Sequence, residues 1–212
     1  MVITMKIASP KIKETNTKTF EECFFDNEFE GVHIEENSKK ELILEDTSFN
    51  TCIFDNITFK KIELINIELL DVIFNNCDLS NKEFNKKCIR RVVFNNCKLV
   101  GTSFSDSNIK DVEINNSQCD FLNLIGSKID NVRISESSLK ESVFMDTTIK
   151  NIELKNNNME GTDFQGCTHE KLDISTNEIA GIICDSKFLK ELTIDLYQSS
   201  YILPMFGIEV KE

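Results

Sequence analysis

Residues 72–81 read Val-Ile-Phe-Asn-Asn-Cys-Asp-Leu-Ser-Asn, and residues 92–101 read Val-Val-Phe-Asn-Asn-Cys-Lys-Leu-Val-Gly. The two stretches repeat at twenty residues. Inside each, a shorter period of five sets Phe74 and Leu79, or Phe94 and Leu99, each with Val or Cys two places ahead. Followed outward, the five-residue step runs from Phe24 to Ile194 without insertion or deletion, and of its 35 positions only Lys39 and His169 are not apolar. A fixed frame of that length is a structural repeat and not ordinary patterning.

Each unit has a constant grammar around its Phe, Leu or Ile centre. Two residues ahead stands a small or β-branched residue, as in Val72, Cys77, Thr102, Ser107, Val112 and Thr147. If the backbone is extended, both positions point the same way, because strand side chains alternate with a period of two. Two residues after the centre, between 26 and 181, Asp, Asn or Gly fills 21 of 32 positions, and six of the seven glycines fall there. These residues tolerate turn and left-handed geometry, so each unit is about three extended residues and a corner. Columns such as Val72, Val92, Val112, Val132 and Phe54, Phe74, Phe94, Ile114 repeat at twenty, which implies four faces per coil. The sequence therefore predicts an all-β solenoid of nearly nine coils over 24–194, about 40 Å long at the strand spacing of about 4.8 Å. Residues 1–23 read as a lead-in and cap with a strand near Val2–Ile7, broken by Pro10 and covering the first coil.

Composition narrows the function. No apolar run is long enough to span a bilayer, and the N-terminus lacks a signal-peptide core, so a cytoplasmic protein without membrane contact is expected. The net charge of -12 favours solubility and disfavours direct binding to nucleic acid. Cys52, Cys77, Cys97 and Cys167 read as small buried apolar side chains, while Cys23 and Cys88 fall where the frame faces solvent. Neither CxxC spacing nor a His-rich set exists, so no metal and no cofactor is expected. No P-loop, GxSxG, HExxH or GxGxxG is present, and acids on flat solenoid faces lack the cleft that catalysis needs. The chain is not read as an enzyme.

Summed by face over 22–196, formal charge is -8 on the face centred on Phe24, Leu44 and Leu64, and -6 on the opposite face, against +1 and 0 on the other two. The first strip, made of Glu22, Asp26, Glu45, Asp46, Glu63, Asp106, Asp146, Asp163 and Asp185, is the expected partner-binding surface. Two patches break the grammar. Lys39 occupies a centre within 35–41, where a dry lysine costs too much to stay, so an outward bulge is expected. Lys82 and Lys87 take inward positions within 81–91, beside Arg90 and Arg91; either their stems snorkel outward from a distorted coil or they form a basic band or small loop. His169 reads as a tolerated core-edge residue.

After Ile194 the period stops. Asp195 with Gln198 three residues on reads as a helix start, Pro204 should shorten the helix, Gly207 should end it, and Ile208–Val210 suggest a short strand. Residues 195–212 are expected to cap the last coil, as a solenoid requires. The surplus apolar side chains Tyr197, Tyr201, Ile202, Met205, Phe206 and Ile208 are expected to form a homodimer interface and a rod about twice as long.

Units such as Cys77-Asp78-Leu79-Ser80-Asn81, Cys97-Lys98-Leu99-Val100-Gly101 and Thr162-Asp163-Phe164-Gln165-Gly166 resemble the pentapeptide-repeat motif, small–Asp/Asn–Leu/Phe–x–x. The resemblance covers about four-fifths of the chain and implies that family's right-handed quadrilateral β-helix. The tail from Asp195 to Ile208 is similar to the C-terminal dimer segment of the quinolone-resistance Qnr subgroup, in a loop-poor form. That likeness implies an acidic rod acting as a DNA mimic that binds DNA gyrase or topoisomerase IV and protects it from quinolones. The Qnr proteins that carry loops interrupt their repeat; here the register does not slip, so any loop must be a bulge at 35–41 or 81–91. The alternative is a structural or protein-interaction scaffold with another partner and no topoisomerase effect.

Overall fold

The computed structural model describes residues 5–26 and 28–209. Its corners follow the five-residue frame. Among the described residues, all 20 non-glycine residues with positive φ, from Asp46 to Glu191, stand two residues after a centre, and so do Gly31, Gly101, Gly126, Gly161, Gly166 and Gly181. Asn and Asp dominate because their short polar side chains tolerate the left-handed region. The stack is strong enough to hold Phe121 at φ 59° and Arg91 at φ 52° as well.

Corners at every fifth residue fold the chain into a four-sided parallel solenoid of about nine turns. Short strands β1 (Asn16–Thr17), β2 (Val32–Ile34) and β3 (Leu42–Glu45) precede the first long one, β4 (Ser48–Asp55). Then come β5 (Ile62–Ile65), β6 (Glu68–Asn75), β7 (Cys88–Asn95), β8 (Asn108–Asn115) and β9 (Lys128–Ser135). Successive coils pair in register at twenty residues, as in Val72 with Val92, Val92 with Val112 and Phe54 with Phe74. Strands β4 and β6 to β9 each cover two faces and bend at a left-handed residue in their middle (Thr51, Asp71, Arg91, Asp111, Asn131). They form the centre of a ten-stranded sheet, while β3 and β5 make a separate pair.

Inside, Phe54, Phe74 and Phe94 stack at 5.0 and 5.1 Å between ring centres. In many units where it is Cys, Ser or Thr, the residue two places before a centre has a second role that its size alone does not convey. Its side chain donates to the carbonyl of the centre 23 residues earlier: Thr102 to Leu79 at 2.9 Å, Ser107 to Phe84 at 2.8 Å, Ser127 to Phe104 at 2.7 Å. Cys52 and Cys167 do the same to Phe29 and Phe144. The position selects a short donor, so these cysteines are hydrogen-bonding residues and not merely apolar fillers.

Both ends depart from the frame. Phe24 is not the first centre: it lies on helix α1 (Phe20–Asp26) and is 47% exposed, while Phe20 and Cys23 are fully buried. The helix begins with a reciprocal cap, Glu22 N–H to Thr19 Oγ1 at 3.2 Å and Thr19 N–H to Glu22 Oε2 at 2.7 Å. Its rotation turns Phe20 onto Phe29, Phe54 and Phe59 and Cys23 inward, so the cap of the first coil is helical and Cys23 does not face solvent. At the other end Phe188 replaces Leu189 as the buried ring, stacked on Phe164 at 4.6 Å; His169 lies edge-on to it and its Nε2–H donates to Phe188 O at 2.6 Å. The buried ring thus comes one residue early in the last coil, while the Glu191 corner and the pairing of Leu172 with Leu192 keep the twenty-residue register.

The described residues before β1 do not cover the first coil. They run lengthwise along one corner column: Asn16 N–H donates to Gly31 O at 2.9 Å, Lys11 N–H to Asp71 Oδ1 at 2.7 Å and Ala8 N–H to Asp111 Oδ1 at 3.2 Å. Ala8 to Lys11 thus spans two coils, about 10 Å, which needs extended chain; Pro10 lacks an N–H to satisfy and suits that path. Residues 5–7 form no strand, and the rest of the expected strand at Val2–Ile7 lies outside the described residues.

Candidate interaction surfaces

The acidic strip is only partly assembled. Glu45, Asp46, Glu63, Asp106, Asp146, Asp163 and Asp185 share one face and its following corner; Glu22 and Asp26 do not, because they belong to α1, where Glu22 caps the helix and Asp26 pairs with Lys18 at 3.1 Å. Asp46 accepts from the Asn66 amide, and Asp163 accepts from Gln165 N–H at 2.8 Å. Asp185 accepts from the backbone N–H groups of Gly166, Lys187 and Phe188 at 2.8–3.0 Å, and these bonds, the one from Gly166 first, hold its carboxyl below the usual range. Lys82, Lys86 and Lys87 divide the strip between Glu63 and Asp106. On the opposite face Arg133 bridges Glu113 and Glu153 at 2.9 Å each, which neutralises some of that acidity.

The irregular patches resolve differently. At 35–41 no strand forms after Ile34; Lys39 is exposed and Ser38 turns inward instead, both held by the Glu21 carboxylate at 2.8 and 2.9 Å. At 81–91 no loop interrupts the frame, since Asn81, Lys86 and Arg91 keep corner geometry, but the ladder joining 82–87 to the previous coil is broken. Lys82 and Lys87 stay half-buried: Lys82 Nζ donates to Ile62 O at 2.8 Å and Lys87 Nζ to the Asn66 side-chain Oδ1. Arg90 is exposed. Arg91 is buried at its corner in a two-bond pair with Asp71, both contacts 2.6 Å. These residues therefore do not form one basic band.

In the tail, helix α2 (Ser199–Ile202) is a single turn that tightens to a 3-10 turn from Leu203 to Phe206 where Pro204 enters, and Gly207 ends it at φ 71°. Ile208 and Glu209 form no strand, and Val210 lies outside the described residues. Asp195 and Gln198 exchange backbone-to-side-chain bonds of 2.9 Å, and the Gln198 amide also donates to Ile174 O and Asn177 O, plugging the last coil. Ile202 is buried with it, only 5% exposed, and so cannot serve as an interface residue. Tyr197, Tyr201, Met205, Phe206 and Ile208 are exposed and joined by Leu196.

Sequence reasoning missed Phe20, Asp71 and Asp111, and read Gln198 only as part of a helix start. A signal existed only for the first, in the Thr19-x-x-Glu22 cap. Elsewhere His33, Glu35 and Asp55 gather on one face, His33 Nε2–H donating to Asp55 Oδ2 at 2.7 Å with Glu35 Oε1 at 3.6 Å; one imidazole and two carboxylates of this kind could hold a cation. Among the described residues, no helix is long and apolar enough to cross a membrane.

Residues 67–144 match a family model described as the pentapeptide repeat region. A search of curated proteins finds no match. Among solved structures, a trypsin-treated variant of QnrB1, a plasmid-mediated fluoroquinolone resistance protein, is 16% identical, with 86% of this chain and 95% of that one covered and a TM-score of 0.39. HetL, a pentapeptide-repeat protein involved in heterocyst differentiation regulation in the cyanobacterium Nostoc sp. strain PCC 7120, is 13% identical over 82% of this chain and 92% of its own, with a TM-score of 0.40. A pentapeptide-repeat protein of the Arabidopsis thaliana thylakoid lumen is 15% identical over 43% of this chain and 63% of its own, also with a TM-score of 0.40. The matched segment is the middle of the stack, so residues 67–144 are similar to the pentapeptide repeat, and the same corners continue on both sides of them.

Proposed function

We propose that this protein is a non-catalytic, cytoplasmic rod that binds a protein partner through its acidic faces, as a mimic of duplex DNA on the basic groove of DNA gyrase or topoisomerase IV. The observation that carries the reading is the arrangement of charge. Removing Glu22 and Asp26 still leaves -6 on the face from Leu44 to Cys184, set along a parallel stack. Duplex DNA presents the same feature to basic grooves, a line of regularly spaced negative charge. The likeness of the Asp195–Ile208 tail to the Qnr subgroup selects type II topoisomerases among such partners, and with it protection from quinolones. The exposed set Tyr197, Tyr201, Met205, Phe206 and Ile208, with Leu196, serves as the homodimer interface, since clustered apolar surface of this kind marks an interaction site.

A second reading, a scaffold for an unrelated partner, is favoured by the interruption at Lys82, Lys86 and Lys87, which DNA mimicry does not need. A gyrase supercoiling assay with ciprofloxacin, titrating the protein, separates the two. Restored supercoiling, or inhibition in the absence of drug, supports the first; neither effect at micromolar protein supports the second.

A further inference from the structure

The coil after β5 sets a standard for this face. Phe84 N–H donates to Ser103 O at 2.7 Å, Lys86 N–H to Ser105 O at 2.8 Å, and Ser103 N–H to Lys82 O at 2.9 Å. One coil earlier the same three bonds would run from Leu64 to Glu83, from Asn66 to Asn85 and from Glu83 to Ile62, and none of them is made. The two coils remain joined on both sides of the break, by Phe59 N–H to Asp78 O at 2.9 Å and by the pairing of Leu69 with Ile89. Between these joints β5 and the 82–87 segment diverge to leave a slot of about 440 Å³.

The cause is legible in two columns. Positions 82 and 87 are occupied one coil later by Thr102 and Ser107, whose hydroxyls donate to carbonyls of the previous coil. A lysine cannot fold into that space. The Lys82 ammonium instead takes the Ile62 carbonyl, the place of the missing Glu83 N–H, and Lys87 reaches Asn66. Burial pushes the Lys82 pKa below the ordinary lysine range, against the opposing pull of Glu63 and Asp78, so those carboxylates do not fully replace the solvent its charge has lost.

We propose that this slot binds an extended peptide segment bearing a carboxylate side chain, added as a strand along the free edge of β5. The open groups are of both kinds: Leu64 and Asn66 offer N–H, and Glu83 and Asn85 offer C=O. A small anion would satisfy the donors and confront the carbonyls, whereas an extended chain supplies donors and acceptors at strand spacing. The two ammoniums favour an acidic side chain on that chain. Lysine on a free edge can also deter strand addition, but Lys82 covers only the Ile62 carbonyl and leaves the Leu64 and Asn66 N–H groups open. The slot interrupts the first acidic strip and includes its Glu63, but the proposal does not rest on the topoisomerase reading.

The test is an amide-resolved titration of the full chain, labelled with nitrogen-15, with an acetylated and amidated hexapeptide of alternating valine and glutamate. A valine–lysine hexapeptide and inorganic phosphate form separate arms. The amides of Leu64, Asn66 and Glu83 exchange rapidly in the free protein and gain at least tenfold protection with the glutamate peptide alone. The variant K82Q/K87Q keeps the slot and weakens the peptide at least tenfold. The variant K82T/K87S installs the residues found one coil on, closes the ladder, protects the three amides without peptide and abolishes binding. Slow exchange of these amides in the free protein overturns the proposal. So does an absent response to millimolar peptide, an equal response to the lysine peptide, or an equal response to phosphate, which would make the slot an anion site.

Discussion

Replacing Asp71 with Asn tests how the N-terminal arm and the corner column hold each other. The Asp71 carboxylate receives the Arg91 guanidinium in two bonds of 2.6 Å and the Lys11 N–H at 2.7 Å, and the two side chains are only 7% and 10% exposed. Taking one charge from a buried pair leaves the other uncompensated and costs about 3–5 kcal/mol. The corner has solvent on one side and Asn keeps one acceptor for Lys11, so the lower end, about 3 kcal/mol, is expected. Arg91→Gln leaves a carboxylate that still accepts the Lys11 N–H, and should cost less, about 2 kcal/mol. The double variant should fall short of the sum by at least about 1 kcal/mol, the signature of direct coupling. The pH dependence has a definite sign. The bonds from Arg91, ahead of that from Lys11, hold the Asp71 carboxyl below its ordinary value. A group with a depressed folded pKa contributes stability above its unfolded pKa and loses it as pH falls through the folded one. The gap between wild type and Asp71→Asn is therefore full at neutral pH and shrinks below about pH 4. Urea unfolding at both pH values measures it, and trypsin cleavage at Lys11 and Lys13 reports release of the arm. A variant within about 1 kcal/mol of wild type at neutral pH, with unchanged cleavage, would refute the reasoning.

Phe74→Ala removes a fully buried ring stacked on Phe54 and Phe94 and should lower stability by about 3–5 kcal/mol; a loss under about 1 kcal/mol in urea would contradict the packing described. Ellman's reagent should modify exposed Cys88 quickly and half-buried Cys184 slowly. Burial pushes Cys52 and Cys167 up to about 12 and Cys23 up to about 11, keeping them as unreactive thiols; three or more fast thiols would be inconsistent with this core. Y201E/F206E should halve the mass seen by light scattering, since both side chains are exposed at the tail. A dimer that survives, or a wild type that is already monomeric, removes the tail interface.

The interior of this fold was legible because one rule governs it. An apolar residue every fifth place and Asn, Asp or Gly two places later specify the inward side and the corner without reference to anything distant. The ends were not legible in the same way. Phe24 satisfies the period, yet the Thr19–Glu22 cap starts a helix that turns it outward, and local hydrogen bonding outweighs one more member of a pattern. Phe188 displaces Leu189 because a ring stacked on Phe164 fills the closing coil. The arm along Asp71 and Asp111 leaves no periodic trace, since its own contacts are backbone N–H groups whose partners lie 60 and 103 residues away. Lys82 and Lys87 stood out as misfits in the sequence, but that they would push neighbouring coils apart depends on where the adjoining ladder can be spared. Of the candidate surface, the strip from Glu45 to Asp185 follows from the frame, whereas its division by lysines and the inward turn of Ile202 required the structure.

That the outer acid of a regular rod engages a groove built for DNA is tested most directly by binding of the full chain to intact gyrase, measured across salt concentrations and against duplex DNA as competitor. Binding should weaken steeply with salt, be displaced by DNA, and fall at least tenfold in E45Q/D106N/D146N/D163N with the fold unchanged. Absence of binding at low salt, or binding indifferent to salt, DNA and these four substitutions, would contradict it.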